Sequence, residues 1–346
     1  MTVTFDNTFA RLPEPFYVKM PPKPVAEPSW LAWNEGLAAQ LGLDGWAQDD
    51  ATLAVLAGNE TVDGAEPLAA AYAGQQFGNW SPQLGDGRAL LLGEVVTGAE
   101  DRFDIQLKGS GPTPFSRGGD GRAWLGPVLR EYIVSEFMAA VGVPTTRALA
   151  AVATGERVVR EAVLPGAILT RVARSHLRVG TVQFFAIRGD KENLSLLVDY
   201  AINRLYPDLA DAERPALALL QRVMERQAAL VAKWMGLGFI HGVMNTDNVA
   251  LSGETIDYGP CAVMDDFQNA KVFSSIDHGG RYAYGGQPSV AHWNMVQCAQ
   301  ALLPLIDDDE ERAVELAQEA VDGFGVLYAA EHKRMANAKL GLDADS

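Results

Sequence analysis

Residues 102–142 read RFDIQLKGSGPTPFSRGGDGRAWLGPVLREYIVSEFMAAVG. In RFDIQLKG (102–109), Phe103, Ile105 and Leu107 alternate with Asp104, Gln106 and Lys108, the period-two pattern of a half-buried strand. Lys108 closes that strand on its polar face. GSGPTPFSRGGDG (109–121) is a loop by its Gly, Pro and Ser content. The remainder, 123–142, predicts a helix. Leu129, Ile133, Phe137 and Val141 recur every fourth residue and predict one apolar face, with Pro127 in the first turn. The unit is therefore strand, glycine-rich loop and helix, with a lysine on the strand and Glu131 on the helix.

Working outward, RALLLGEVV (88–96) predicts a second strand, joined to the first through the turn Gly98–Asp101. Residues 67–88 are dense in Gly and Gln, and periodicity does not settle them. Six prolines within residues 1–28 predict an extended arm, followed by a helix from Ser29 with Trp30, Trp33 and Leu37 on one face. Residues 45–66 read as an acidic loop. Downstream, 145–187 alternates short β-rich runs with turns, including LRVGTVQFFAI. Helices are predicted over 193–206, 213–238, 288–305 and 309–342, with loops over 239–287. β-rich sequence giving way to helical sequence predicts an α+β fold in two lobes, with the boundary near residue 190.

Composition narrows the class. The chain has 346 residues, 48% hydrophobic and 21% charged, so it is globular. That length exceeds the roughly 250 residues that one core usually serves. A net charge of -16 argues against nucleic-acid and anionic-membrane partners, which call for basic patches. Cys261 and Cys298 form no C-x-x-C pair, which excludes a zinc ribbon and fits a reducing compartment. No apolar run reaches about 18 residues, and the N-terminus lacks a secretory or transit pattern. A cytoplasmic protein is expected.

Five features that could carry chemistry follow in order: GDGR (85–88), Lys108, Glu131, HGVMNTDNVAL (241–251) and DYG (257–259). Singly, each has a plain structural reading, as a turn, a strand end or a solvated helix face. Together they match the order used by phosphoryl-transfer enzymes of the protein-kinase type. There the lysine meets phosphates, the glutamate holds the lysine, and an Asn and an Asp offer hard oxygens to Mg²⁺. Asn248 and Asp257 are placed to do the last. One departure stands out. The kinase base lies five residues before the Asn, which here is Val243, and valine accepts no proton. The nearest carboxylate is Asp247. Either the chain is inactive as a kinase, or its substrate and nucleotide sit differently. LTRVARSHLRVG (169–180) gathers Arg171, Arg174, His176 and Arg178, as a solvated strand face or as a phosphate clamp of arginine forks. Arg88, Arg117 and Arg122 add positive charge to the glycine-rich segments.

PQLGDGRALLLGEV, DIQLKGSGPTPFSRGGDGRAWLGPVLRE, LTRVARSHLRVGTVQFF and HGVMNTDNVAL…DYGPCAVMDDF closely resemble the selenoprotein O family. These blocks run from about residue 67 to 295, and the N-terminal arm is also similar. The resemblance implies a protein-kinase-like fold with a β-rich N-lobe and a mainly helical C-lobe. It implies transfer of AMP from ATP to Ser, Thr or Tyr hydroxyls of proteins, with ATP flipped relative to ordinary kinases. By the same resemblance, Lys108 binds phosphate with Glu131 as its partner. Gly85, Gly87, Arg88, Asp120 and Gly121 contact the nucleotide, as do Arg171, Arg178 and Asp257. Asp247 is the proton acceptor, and Asn248 and Asp257 hold Mg²⁺ or Mn²⁺. A flipped nucleotide would account for Val243. The implied division is an arm and helix over 1–66, a nucleotide-binding N-lobe over 67–190 and a C-lobe with the catalytic and metal loops over 191–346. The expected partners are ATP and hydroxyl-bearing proteins, with the chain a monomer. Family members often end in a Cys-x-x-selenocysteine or Cys-x-x-Cys motif. The sequence given ends at GLDADS without one, which leaves open whether Cys261 has a redox role. A true kinase and a non-catalytic nucleotide-binding regulator are the competing readings.

Overall fold

In the computed structural model, which describes residues 5–343, one antiparallel sheet dominates the N-terminal half. Strands β1 (Tyr17–Lys19) and β2 (Ser29–Trp33) lead into helices α1 (Glu35–Gln40) and α2 (Asp50–Leu56). Next come β3 (Leu68–Ala70), β4 (Gly74–Gln76), β5 (Asn79–Ser81), β6 (Ala89–Val96), β7 (Arg102–Lys108) and β8 (Ala123–Trp124). Helix α3 (Leu125–Ala140) precedes the long pair β9 (Arg147–Val159) and β10 (Val163–Ala173). The rest is mainly helical: α4 (Val179–Ala186), α5 (Lys191–Leu205), α6 (Pro215–Leu237), the short pair β11 (Phe239–Ile240) and β12 (Ala262–Val263), then α7 (Gln287–Ile306), α8 (Glu310–Asp322) and α9 (Phe324–Leu340). The protein is thus mixed α+β. No helix of the described residues is long and apolar enough to cross a membrane.

The chain forms two compact units. Among the described residues the first comprises 5–72, 83–141 and 145–176. Its sheet runs β1-β3-β6-β7-β10-β9-β2, with β8 alongside β10. β7 is central because its register against β10 sets Gln106 opposite Arg171 and Lys108 opposite Leu169. One face packs on α1, α2 and the segment between them through Leu37, Trp46, Leu56, Ile105, Leu107 and Val152. The other carries α3 through Val128, Ala148, Ala151 and Leu169. The second unit comprises residues 73–82, 142–144 and 177–343 of those described. There α6 is the central helix, packed by α7 and α9. It stops at Leu237 because Gly238 adopts the left-handed conformation (φ 67°) that ends helices.

Several expectations change. Residues 29–33 are a strand, because Trp30 and Trp33 suit the pleated edge beside β9. The helix starts later, where Asn34 Oδ1 accepts the Leu37 N–H at 3.0 Å. The acidic stretch holds α2, capped by Asp49 accepting from Thr52 N–H at 2.8 Å. VGTVQFFA is helix α4 rather than a strand. Val179 to Phe185 are all buried, and a helix buried all round shows no apolar stripe to read. The stretch 309–342 breaks at Gly323 into two helices. On α3 the predicted apolar face is the outer one. Ile133, Phe137 and Val141 are exposed, while Val128, Glu131, Ser135 and Met138 are buried. The polar face of β7 is buried too, Asp104 and Gln106 included, so β7 is not half-exposed. In both cases charged and amide groups serve an interior polar network.

Candidate active site

The first unit contains a buried chain of polar groups. Lys108 Nζ donates to Glu131 Oε2 at 2.6 Å. The other carboxylate oxygen accepts from Arg171 Nη1 at 3.2 Å. Arg171, only 1% exposed, also donates to Gln106 Oε1 at 2.6 Å through Nη2. Gln106 Nε2 then donates to Asp86 Oδ2 at 3.1 Å, and the same oxygen accepts the Ala70 N–H at 3.2 Å. Glu131 is thus a buried anion between two cations, and the network reaches the GDGR turn. Glu131 is one α-helical turn beyond Val128, whose apolar contact with β9 and β10 turns this face of α3 inward.

The glycines of that turn are fixed by packing. Gly85 has φ 99°, and a Cβ there would collide with the Phe115 ring. A Cβ on Gly87 would lie 2.7 Å from the Phe115 carbonyl oxygen. The loop 109–121 folds back on the turn, and Thr113 Oγ1 donates to the Asp86 carbonyl at 2.7 Å. Arg88 is exposed. Asp120 does not join the Lys108 cluster. Its carboxylate pairs with Arg160 at 2.8 Å through both oxygens and accepts the Arg122 N–H at 3.0 Å. The Arg160 guanidinium holds that carboxyl down to about 2. Gly121 is required because a Cβ would strike the Gly111 carbonyl.

The second unit holds the carboxylates of the 241–259 segment. Arg178 is the N-cap of α4 and is 2% exposed. Its Nη1 donates to the Asp247 carbonyl at 2.6 Å and to Asp257 Oδ2 at 2.9 Å. Asp257 is in the left-handed region (φ 64°), a conformation that costs a residue with a Cβ and that the Arg178 ion pair helps hold. Asp247 lies in a one-turn 3₁₀ segment, Thr246–Asn248, and is 7% exposed. Its Oδ2 accepts from Gln76 Nε2 at 3.0 Å, while Oδ1 is buried and accepts no hydrogen bond among the described residues. Burial pushes the Asp247 carboxyl up; the Gln76 bond and the Arg178 charge pull it partly back.

Asn248 Nδ2 donates to the Val243 carbonyl at 3.0 Å, so the amide oxygen is the atom this side chain could offer a metal. Among the described residues no group of three or more His, Cys, Asp or Glu could hold a metal. One amide oxygen and one carboxylate nevertheless fit Mg²⁺, which keeps waters and takes few protein ligands beside substrate phosphates. His241 is a brace. Its Nε2 donates to the Ile256 carbonyl at 2.9 Å, and its ring stacks on Trp234. Burial pushes its pKa down, so it stays neutral.

Three expected residues, Lys108, Glu131 and Arg171, therefore meet in the first unit. Arg178, Asp247 and Asp257 meet in the second, with Asn248 next in sequence to Asp247. Sequence reading missed Asp86, Gln106 and Gln76. The first two were visible only as polar residues in or beside an apolar strand. Gln76 lay in the Gly- and Gln-rich stretch that periodicity left open.

A model of the family described as "Protein adenylyltransferase SelO" matches residues 1–346. Among curated relatives, a protein nucleotidyltransferase YdiU from Methylorubrum populi is 61% identical over 339 residues, covering 98% of this chain and 68% of the relative. Proteins of the same name from Rhodopseudomonas palustris and Shouchella clausii are 59% and 58% identical over 339 residues. This chain spans 69% and 70% of their respective lengths, with 98% of its own covered in each.

Proposed function

The chain belongs to the SelO family of protein adenylyltransferases, and from that premise we propose that it transfers AMP from ATP to Ser, Thr or Tyr hydroxyls of proteins. The observation that carries the mechanism is the state of Asp247. It is a buried carboxylate with one oxygen held by Gln76 and the other accepting no bond among the described residues, in a loop where the kinase base position is Val243.

In this reading ATP is bound flipped, in a two-lobed protein-kinase-like arrangement. Residues 67–190 bind the nucleotide, 191–346 carry the catalytic and metal loops, and 1–66 pack on the core. Lys108 and Arg171, held by Glu131, meet phosphate oxygens; Arg178 does so beside Asp257. Gly85, Gly87 and Arg88, with the Asp120–Gly121 loop, contact the rest of the nucleotide. Asn248 and Asp257 would hold Mg²⁺ or Mn²⁺, which when bound neutralises phosphate charge. The acceptor hydroxyl oxygen bonds to the α-phosphorus, and the bond from that phosphorus to the pyrophosphate oxygen breaks. Asp247 takes the hydroxyl proton, and pyrophosphate leaves with the bonding pair.

The test is Asp247→Ala. General-base help is typically worth about 10²–10⁴-fold, so AMP transfer should fall by that order. ATP affinity, read by calorimetry, should hold within about threefold, because the carboxylate acts on the acceptor and not on the nucleotide. Retention of the parental transfer rate would remove Asp247 from the mechanism. A kinase reading predicts transfer of the γ-phosphoryl instead, and Val243 counts against it.

A further inference from the structure

The segment 73–82 belongs to the second unit and forms the β4–β5 hairpin. Its turn, Phe77-Gly78, has positive φ at both residues (51° and 82°). Gly accepts this conformation readily; Phe does not, and a non-glycine residue held there marks an imposed constraint. The constraint is visible in what the hairpin grips. Gln75 N–H donates to Thr246 Oγ1 at 2.7 Å. Gln76 Nε2 donates to Asp247 Oδ2 at 3.0 Å. Phe77 N–H donates to Asn245 Oδ1 at 3.0 Å. Three successive hairpin residues thus hold three successive residues of the loop that carries the carboxylate. Tyr282 locks the far side, its hydroxyl donating to the same Asn245 oxygen at 2.6 Å and its ring 5.1 Å from that of Phe77.

Of these contacts, only the one from Gln76 reaches the carboxylate itself. A carboxylate on a single χ2 torsion can rotate its two oxygens past each other. An N–H fixed on Oδ2 removes that freedom. We propose that Gln76 is a positioning residue for AMP transfer: its amide anchors Oδ2 of Asp247 and so fixes the rotation of the carboxylate that takes the acceptor's proton. This rests on the reading of Asp247 as proton acceptor. Gln76 touches neither nucleotide nor acceptor in this account; it acts through Asp247 alone.

The experiment is a double-mutant cycle on the full chain, using Gln76→Met, Asp247→Asn and the pair. Self-modification is followed with α-labelled ATP over a range of ATP concentrations. Gln76→Met keeps the length of the side chain and loses the donor. Its kcat should fall about 10–100-fold, the effect of one hydrogen bond to a charged group, with KM for ATP within about threefold. In the Asp247→Asn background the same change should cost less than about threefold, because the group it positions has been removed. If Gln76→Met lowers the melting temperature, Gln76→Leu carries the same expectation, since it too has no donor for Asp247. A parental kcat in Gln76→Met with Asp247→Asn impaired overturns this proposal alone, as does an undiminished loss in the double variant. A parental rate in Asp247→Asn, or no AMP transfer by the parent chain, overturns the reading of Asp247 and this proposal with it.

Discussion

Replacing Glu131 with Ala should unfold the first unit more readily before it affects any chemistry. The carboxylate is 5% exposed and lies between Lys108 Nζ at 2.6 Å and Arg171 Nη1 at 3.2 Å. The side chains of those cations are 12% and 2% exposed. Removing the anion takes away the carboxylate that a buried arginine and a part-buried lysine share. Breaking a buried pair by deleting one partner typically costs about 3–5 kcal/mol. For a unit of 150–250 residues, each kcal/mol moves the melting temperature roughly 2–4 °C, so a drop of roughly 6–20 °C is expected. Glu131→Gln should cost less, because it keeps the shape and part of the hydrogen bonding. The assay is thermal unfolding without nucleotide, at low and at high salt. Salt should not restore the loss, since a buried pair is little screened. A melting temperature within about 2 °C of the parent would refute this reasoning.

Two further outcomes follow from the ion pairs. The Asp120 carboxyl, held to about 2 by Arg160, is depressed in the folded state from an ordinary value of 3.8. Its contribution is therefore present above pH 3.8 and lost as pH falls through about 2. The stability gap between the parent and Arg160→Ala, measured by urea unfolding, should narrow over that window; a gap independent of pH would contradict the pairing. Asp257→Asn should lose most of the Mg²⁺-dependence of ATP binding; an equal gain in affinity on adding Mg²⁺ in parent and variant would remove Asp257 as a ligand.

The strand–loop–helix unit at 102–142 was legible because β7 is amphipathic by pattern and α3 has helical spacing. Its orientation was not. Ile133 and Phe137 look like core by hydrophobicity, and Glu131 looks like surface by charge. The structure reverses them because Lys108 and Arg171 provide the buried carboxylate with partners, something no local periodicity records. Helix α4 was misread for a related reason: a helix buried on all sides loses its stripe. The ordered motifs pointed to Lys108, Glu131, Asp247, Asn248 and Asp257 because each lies in a short run of distinctive chemistry. Gln76 and Gln106 were not legible. An amide has no charge to mark it, and each matters through a contact more than sixty residues away in sequence.

The central claim is that AMP, not a phosphoryl group, is transferred. Incubation of the chain and a hydroxyl-bearing acceptor protein with ATP labelled at either the α- or the γ-phosphate tests it most directly. The account predicts stable label on protein from the α position alone, with pyrophosphate released and Asp247→Ala inactive. Label arriving from the γ position would contradict it, as would ATP binding with no transfer from either position.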